Sequence, residues 1–321
     1  MKTLEKILIM VSVAAILVGV IVFTFVVGRN GFNFTNFNNS SLETNTYQIN
    51  EEFSNILIND DETDISIELS DNGSNYIVSK EYNDIKHLVN VNNNTLEIKV
   101  ENNRKWYNKI FSFNKLEMTL YLSKTLYDKL IIDTSTGDIE ISDKFTFSDI
   151  NITASTSDVE CNANVIENMK IHVSTGDIEI GSITASNIDL EVSTGEIEAQ
   201  NINCHNEFKI KVSTGDVELV NITCNNFYST GDTGIIYLDN VIASENMEIK
   251  RSTGDVRLNK CDAKNIIIET STGDVKGSLL SNKIFECKTN TGKKQVPSSS
   301  GTGTCMITCS TGDIIIEILG K

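Results

Sequence analysis

From about residue 130 onward, apolar and polar residues alternate with a period of two. The alternation breaks once every 19 or 20 residues, each time at a phrase close to Ser-Thr-Gly-Asp. With the Gly of each phrase numbered zero, apolar residues fill fixed columns. Position −7 holds Leu130, Ile150, Met169, Ile188 and Phe208; position −5 holds Ile132, Ile152, Ile171, Leu190 and Ile210. Position +2 holds Ile139, Val159, Ile178, Ile197 and Val217, and position +7 holds Ile183, Ile202 and Ile222. A period of two marks strands with one buried face, whereas a helix needs 3.6. A unit of 20 residues is too small to bury its own apolar face, so the copies must stack on one another. The pattern predicts an all-β chain, a parallel β-helix or solenoid with 19–20-residue coils.

The single break in parity falls between −3 and +2 and contains the glycine. Gly137, Gly176, Gly195, Gly215, Gly254, Gly273 and Gly312, with Gly234 and Gly292, are therefore read as corners where a positive φ is supplied at low cost. Ser157 stands in the glycine slot of the second copy and predicts a strained or differently shaped corner. Thr fills −1 in all ten copies, from Thr136 to Thr311. Its parity, counted from −3, points inward, which predicts a packed and hydrogen-bonded Thr ladder. An ice-binding surface would instead need paired outward Thr ranks.

The upstream chain keeps the alternation but loses the phrase, as in Ile65-Ser-Ile-Glu-Leu69 and Leu116-Glu-Met-Thr-Leu120. Residues 47–133 are read as irregular β coils capping a regular stack over 134–321. Ahead of them, residues 7–27 form an apolar run broken only by Ser12 and Thr24. At 1.5 Å per residue it reaches about 31 Å, matching a bilayer core of about 30 Å. It predicts one N-terminal transmembrane helix, with 1–6 cytoplasmic, 28–46 a flexible linker and the body extracytoplasmic, since Lys2 and Lys6 precede the run. The first Cys is Cys161, which leaves no lipoprotein attachment site near the N-terminus.

A formal charge of −17 makes nucleic acid a poor partner. The acids are not scattered. Positions +1 and +3 share outward parity and are both acidic in five successive copies: Asp138 and Glu140, Asp158 and Glu160, Asp177 and Glu179, Glu196 and Glu198, Asp216 and Glu218. The main reading is a solvated strip that keeps the rod soluble; a weak Ca²⁺ site is the sharper one, because Ca²⁺ accepts several carboxylate oxygens in flexible geometry. Seven Cys, an odd number with no CxxC pair, read mostly as core filler, with Cys204 and Cys224 in adjacent coils. The abundant Asn reads as genome composition. One segment, 104–115, is basic and aromatic: Arg104, Lys105, Trp106, Tyr107 and Lys109 are candidate contacts to a membrane interface or an anionic wall polymer.

The order of these features, an N-terminal apolar span, then Thr95-Leu-Glu-Ile-Lys-Val100, Leu116-Glu-Met-Thr-Leu120 and repeated Ser-Thr-Gly-Asp-Ile-Glu-Ile, resembles the bacterial β-strand-repeat family of putative adhesins, a domain of unknown function. The resemblance covers about residues 50–321. It implies a β-helical surface domain, with some relatives associated with envelope stress, and it implies no catalytic residues and no cofactor. Carbohydrate-active β-helix enzymes are the weaker alternative. They need a metal or a basic residue beside a cleft, and no nucleophile–His–acid grouping can be read around His87, His172 or His205. The sequence thus reads as a membrane-tethered, non-catalytic surface-binding module for a cell-surface glycan or protein, with an accessory role in envelope-stress sensing as the runner-up.

Overall fold

The computed structural model describes residues 3–30, 42–103 and 114–319. Helix α1 spans Thr3–Asn30. Within it, side chains are described for 12–13, 15–25 and 28 only, so part of the expected span over 7–27 lies outside the described residues. Among the described residues, no helix is long and apolar enough to cross a membrane.

The body is a β-solenoid of about ten regular turns. One coil shows how the sequence builds it. In strands Asn187–Thr194 and Ile197–Cys204, the inward residues are Ile188, Leu190, Val192, Ile197, Ala199, Ile202 and Cys204, all 2 % exposed or less. Residues between them face solvent. Each strand pairs in parallel with its equivalents in the neighbouring coils, so Ile171, Leu190 and Ile210 stand in one column. Burying one such side chain contributes about 1.5–3 kcal/mol. That gain appears only when another coil covers it, which is why stability comes from stacking.

The corner glycines adopt φ from +103° at Gly137 to +150° at Gly292. The reason is close approach. A Cβ on Gly195 would overlap the carbonyl of Gly176, and one on Gly215 that of Gly195. The packed corners leave no room for any side chain. Ser157 meets the demand differently. Its φ is not positive, yet its N–H still donates to Thr175 O at 3.0 Å, the same inter-coil bond that Gly176 makes to Thr194 O.

The Thr column departs from its parity. Thr136, Thr175, Thr194, Thr214 and Thr253 are exposed, because the chain has already turned at −2, so −2 and −1 both lie on the outer edge. No hydrogen bond joins one Thr hydroxyl of the column to the next among the described residues. The coil-to-coil bond is made by the Thr carbonyl, which accepts from the glycine N–H of the neighbouring coil. The outward rank is single: its companion at −2 is mostly Ser.

Two further corners escaped the sequence reading. At +6, Ser182, Asn201, Asn221, Asn240 and Lys260 adopt φ of +54° to +58°. Asn tolerates this left-handed conformation better than most residues. Its amide adds a ladder: Asn221 Nδ2 donates to Asn201 Oδ1 at 3.1 Å and Asn240 Nδ2 to Asn221 Oδ1 at 2.9 Å. At −8 a second ladder runs from Asn246 to Asn226 at 2.7 Å and from Asn265 to Asn246 at 3.1 Å. Asn is therefore a structural residue here, and genome composition does not account for its placement.

The ends break sequence order. Upstream strands are β1 (Leu42–Ile49), β2 (Asn55–Asp60), β3 (Thr63–Leu69), β4 (Asn75–Tyr82), β5 (Ile85–Asn92), β6 (Thr95–Asn102), β7 (Leu116–Leu122), β8 (Leu126–Thr136) and β9 (Ile139–Ile141). β2 lies between β6 and β8, and β3 lies between β7 and β9, all in parallel. The first coil in sequence is thus the second in the stack. Beyond it, β5 pairs antiparallel with β6, β4 with β7, and β1 with β4. The expected irregular coils are instead a mixed cap with antiparallel edges. Its strand β1 starts at Leu42, inside the expected linker, because Leu42, Thr44, Thr46 and Gln48 find antiparallel partners on β4.

The C-terminal end inverts in the same way. Gly303–Thr311 lies between Val256–Thr272 and Lys283–Thr291. Gly273 N–H donates to Thr311 O at 2.9 Å, and Gly312 N–H to Thr291 O at 2.8 Å. The stacking order is Gly273, Gly312, Gly292, although the even spacing of the phrases implies Gly273, Gly292, Gly312.

Candidate functional site

The acidic strip is the most regular outward feature. All ten predicted carboxylates are exposed, and Glu140, Glu160, Glu179, Glu198 and Glu218 stand one above another in parallel register. The two columns differ in role. At +1, Asp138 Oδ1 accepts from Asp158 N–H at 3.2 Å, Asp158 Oδ1 from Asp177 N–H at 2.9 Å, and Asp177 Oδ1 from Glu196 N–H at 2.7 Å. The ladder resumes where Asp216 accepts from Ile235 N–H at 2.7 Å and Asp255 from Asp274 N–H at 3.0 Å. Asp at +1 therefore ties each corner to the next, which explains the last letter of the repeated phrase. Glu196 makes no such bond to Asp216 N–H, since its longer side chain carries the carboxylate past the amide. Among the +3 glutamates, Glu160 accepts from Asn162 Nδ2 at 2.8 Å, and the column otherwise faces further carboxylates. Glu198 is pushed above the usual carboxylate range by burial and by Glu179, Glu218, Glu196 and Asp177.

This arrangement does not assemble a Ca²⁺ cage. Asp138, Asp158, Asp177 and Asp216 each already have one oxygen engaged by a backbone N–H. Among the described residues, no group of three or more His, Cys, Asp or Glu side chains could hold a metal ion. The interface candidates Arg104, Lys105, Trp106, Tyr107 and Lys109 lie outside the described residues. Cys204 and Cys224 stand in adjacent coils as free, buried thiols, and burial pushes them up to about 11 and about 12.

The grouping that the sequence did not show is in the cap. His87 on β5 is 3 % exposed and places Nδ1 at 2.6 Å from Glu81 Oε2 and Nε2 at 2.9 Å from Asp60 Oδ2. Ser79 Oγ lies 3.1 Å from the same Nδ1. Tyr47 and Asn45 on β1 donate to Glu81 Oε1 at 2.5 Å and 2.7 Å. Burial alone would depress the imidazole, but its hydrogen bonds to Asp60 and Glu81 outweigh it and raise His87 to about 9. Burial alone would raise Glu81; the bonds from His87, Tyr47 and Asn45 lower it to about 2. Ser, His and Asp thus meet, yet the chemistry is not that of a nucleophile. Both ring nitrogens donate to carboxylates, so the ring is a cation at neutral pH with no lone pair to accept a proton. Ser79, Glu81 and Asp60 are themselves buried. The cluster fastens β1, β2, β4 and β5 across 40 residues of sequence, and no alternating pattern could announce it.

With this geometry in view, known proteins can be compared. The family model Toastrack DUF4097 matches residues 53–226 and 193–301, well over half of the chain. The chain belongs to the Toastrack DUF4097 family. Solved structures resemble it at low identity. A "putative adhesin" from Parabacteroides distasonis shares 14% identity at a TM-score of 0.49, over 86% of this chain and 98% of that one. A "putative adhesin" from Bacteroides fragilis shares 14% at 0.44, over 86% and 97%. A "putative lipid binding protein" from Parabacteroides distasonis shares 15% at 0.45, over 86% and 97%. No curated protein matches the chain.

Proposed function

We propose that this Toastrack protein is a non-catalytic binding rod, held at the outer face of a membrane by α1 and presenting its coil faces to a cell-surface glycan or protein. The observation that carries the reading is the register of the outward columns. Equivalent side chains repeat from coil to coil at the strand spacing of about 4.8 Å, as the Glu140-to-Glu218 column does. Such a one-dimensional lattice suits contact along an extended or repetitive partner, whereas catalysis needs groups that converge. Membrane attachment is supported by α1 itself. Its described large apolar side chains, from Val13 to Phe25, are about half exposed or more, left uncovered by the described residues. Apolar area left in water is unfavourable by about 25 cal/mol per Å², and lipid removes that penalty.

The test uses the full chain in cells, tagged at its C-terminus. After alkaline carbonate washing the protein should remain with the membrane pellet, and protease added to intact cells should remove the tag. Release by carbonate, or a tag protected in intact cells, would overturn the tethered, outward-facing reading.

A further inference from the structure

One stretch of the solenoid core abandons the apolar rule. Position −3 faces inward and holds Val173, Val192 and Val212, but the next three coils place Gly231, Arg251 and Thr270 there. Position −5, an Ile or Leu in the coils on either side, becomes Ser229 in the same region. Arg251 is 4 % exposed. Its guanidinium occupies the space that a side chain on residue 231 would fill, and its Nη1 donates across two coils to Val212 O at 3.0 Å. Its Nε and Nη2 have no hydrogen-bond partner, and neither do the hydroxyls of Ser229 and Thr270. A buried guanidinium with two free donors is costly unless something accepts from it.

These groups adjoin an outward groove of about 540 Å³ on the same strands. Gly231, Arg251 and Thr270 line it from below. Lys211 and Lys250 stand along one side, and Ser213, Ser252 and Ser271 along the other. Thr308 extends the side that carries Lys211 and Lys250 only because the C-terminal coil order is inverted, which sets it beside Glu269. Of the cations lining the groove, Lys211 pairs with Glu191 and Lys250 with Glu248, while Arg251 has no carboxylate partner among the described residues. Burial lowers Arg251 to about 10, with Asp216 and Asp232 opposing, so it remains a cation at neutral pH. No carboxylate bonds it.

We propose that the groove is a binding site for a carboxylate-bearing saccharide, whose carboxylate is taken by the Nε–Nη2 edge of Arg251. That edge is a planar fork matching the two oxygens of a carboxylate. Thr270, which lines the same groove, supplies a hydroxyl donor without a partner. The hydroxyls of Ser213, Ser252 and Ser271, spaced along the strand direction of stacking, suit the hydroxyls of a sugar. Entry requires the guanidinium to turn from Val212 O toward the groove, through the gap that Gly231 leaves. The site deepens the surface-binding reading and names its ligand chemistry.

The test is a calorimetric titration of the full chain in detergent with a glucuronate-containing oligosaccharide, its neutral glucose counterpart and inorganic phosphate. The uronate should bind saturably, and the neutral sugar and phosphate at least tenfold more weakly. Arg251→Met keeps the length and removes the fork; it should lose at least tenfold in uronate affinity while its melting temperature stays at or above that of the parent. Arg251→Lys keeps the charge without the fork and should also lose affinity. The proposal is overturned if the uronate gives no saturable heat, if phosphate binds as tightly, or if Arg251→Met binds like the parent. Binding that persists in a protein found on the inner side of the membrane would sink the surface reading and leave this site standing.

Discussion

The middle of the rod and its two ends are made from similar strands by different rules. Between Leu126 and Leu279 each coil stacks on the one that precedes it in sequence, so one phrase, Gly at the corner and Asp beside it, serves most interfaces, with Ser157, Glu196 and Ile235 as the departures. At both ends stacking order and chain order part. β2 and β3 are covered on both sides by strands that come later, and the last strands, Gly303–Thr311 and Ile314–Ile318, slide between two earlier ones. At the C-terminal end the outermost coil is therefore not the last in sequence, whereas at the N-terminal end β2 and β3 lie one layer in but β1 is an edge strand on β4. A terminal coil that is also the outermost would fray readily, since few contacts hold it. Placing it one layer in gives it neighbours on both faces. The cores differ too: the central coils are mostly apolar apart from the Ser229, Arg251 and Thr270 stretch, whereas the cap holds the Asp60–His87–Glu81 cluster.

The largest effect should come from truncation after residue 302. In sequential stacking this would remove only an outer layer. In the inverted order it removes the layer on which Lys283–Thr291 is seated. Amide exchange should then rise to unprotected rates across 283–291. Retained protection there would show that the coils stack in sequence order after all.

His87→Gln breaks the cap, because Asp60 loses its counter-ion and Glu81 keeps only the half-buried Lys86 at 3.6 Å; the expected loss is about 3–5 kcal/mol. The pH dependence has a defined sign. His87 is raised from 6.5 to about 9, so its contribution is complete below about 6.5 and disappears as pH rises through about 9. Glu81 is lowered from 4.5 to about 2, so its contribution is complete above about 4.5 and is lost as pH falls toward 2. Exchange protection of the β4 and β5 amides should be flat between about pH 4.5 and 6.5 and decline on both sides, while Leu190 and Ile210 in the middle stay level. A cap whose protection does not fall between pH 7 and 9 would contradict the charged ring.

Gly195→Val places a β-branched side chain at φ +142° and against the Gly176 carbonyl, with a loss of about 3 kcal/mol expected by denaturant titration. Gly292→Val, whose neighbour is Gly312 at the outer layer, should unfold only that layer and lower the global midpoint less. Equal losses would remove the distinction between middle and end.

The smallest effects sharpen the corner ladder. Asp177→Ala removes the bond to Glu196 N–H and should be destabilising by about 1 kcal/mol. Glu196→Asp should restore the missing rung to Asp216 N–H and stabilise by about 0.5–1 kcal/mol. A neutral or destabilising Glu196→Asp would show that the aspartate rungs contribute nothing.

By itself the sequence determined the solenoid, the coil length, the inward columns and the glycine corner, because each is a local and periodic demand. A strand face must alternate, and a corner with no room for Cβ must be Gly in every copy that adopts it. Part of the Asn signal was local as well, in the recurrence at +6 and −8, and could have been found by reading polar columns as closely as apolar ones. Other features could not be read in that way. The outward position of the Thr column depends on where in the phrase the chain bends, and parity alone does not say. The meeting of Asp60, Glu81 and His87, the swap of the last two coils, and the pairing of Gly231 with Arg251 join residues whose neighbours in sequence carry no trace of the contact. They were decided when the coils stacked, since only the assembled rod fixes which layer lies above which and which buried group finds a partner.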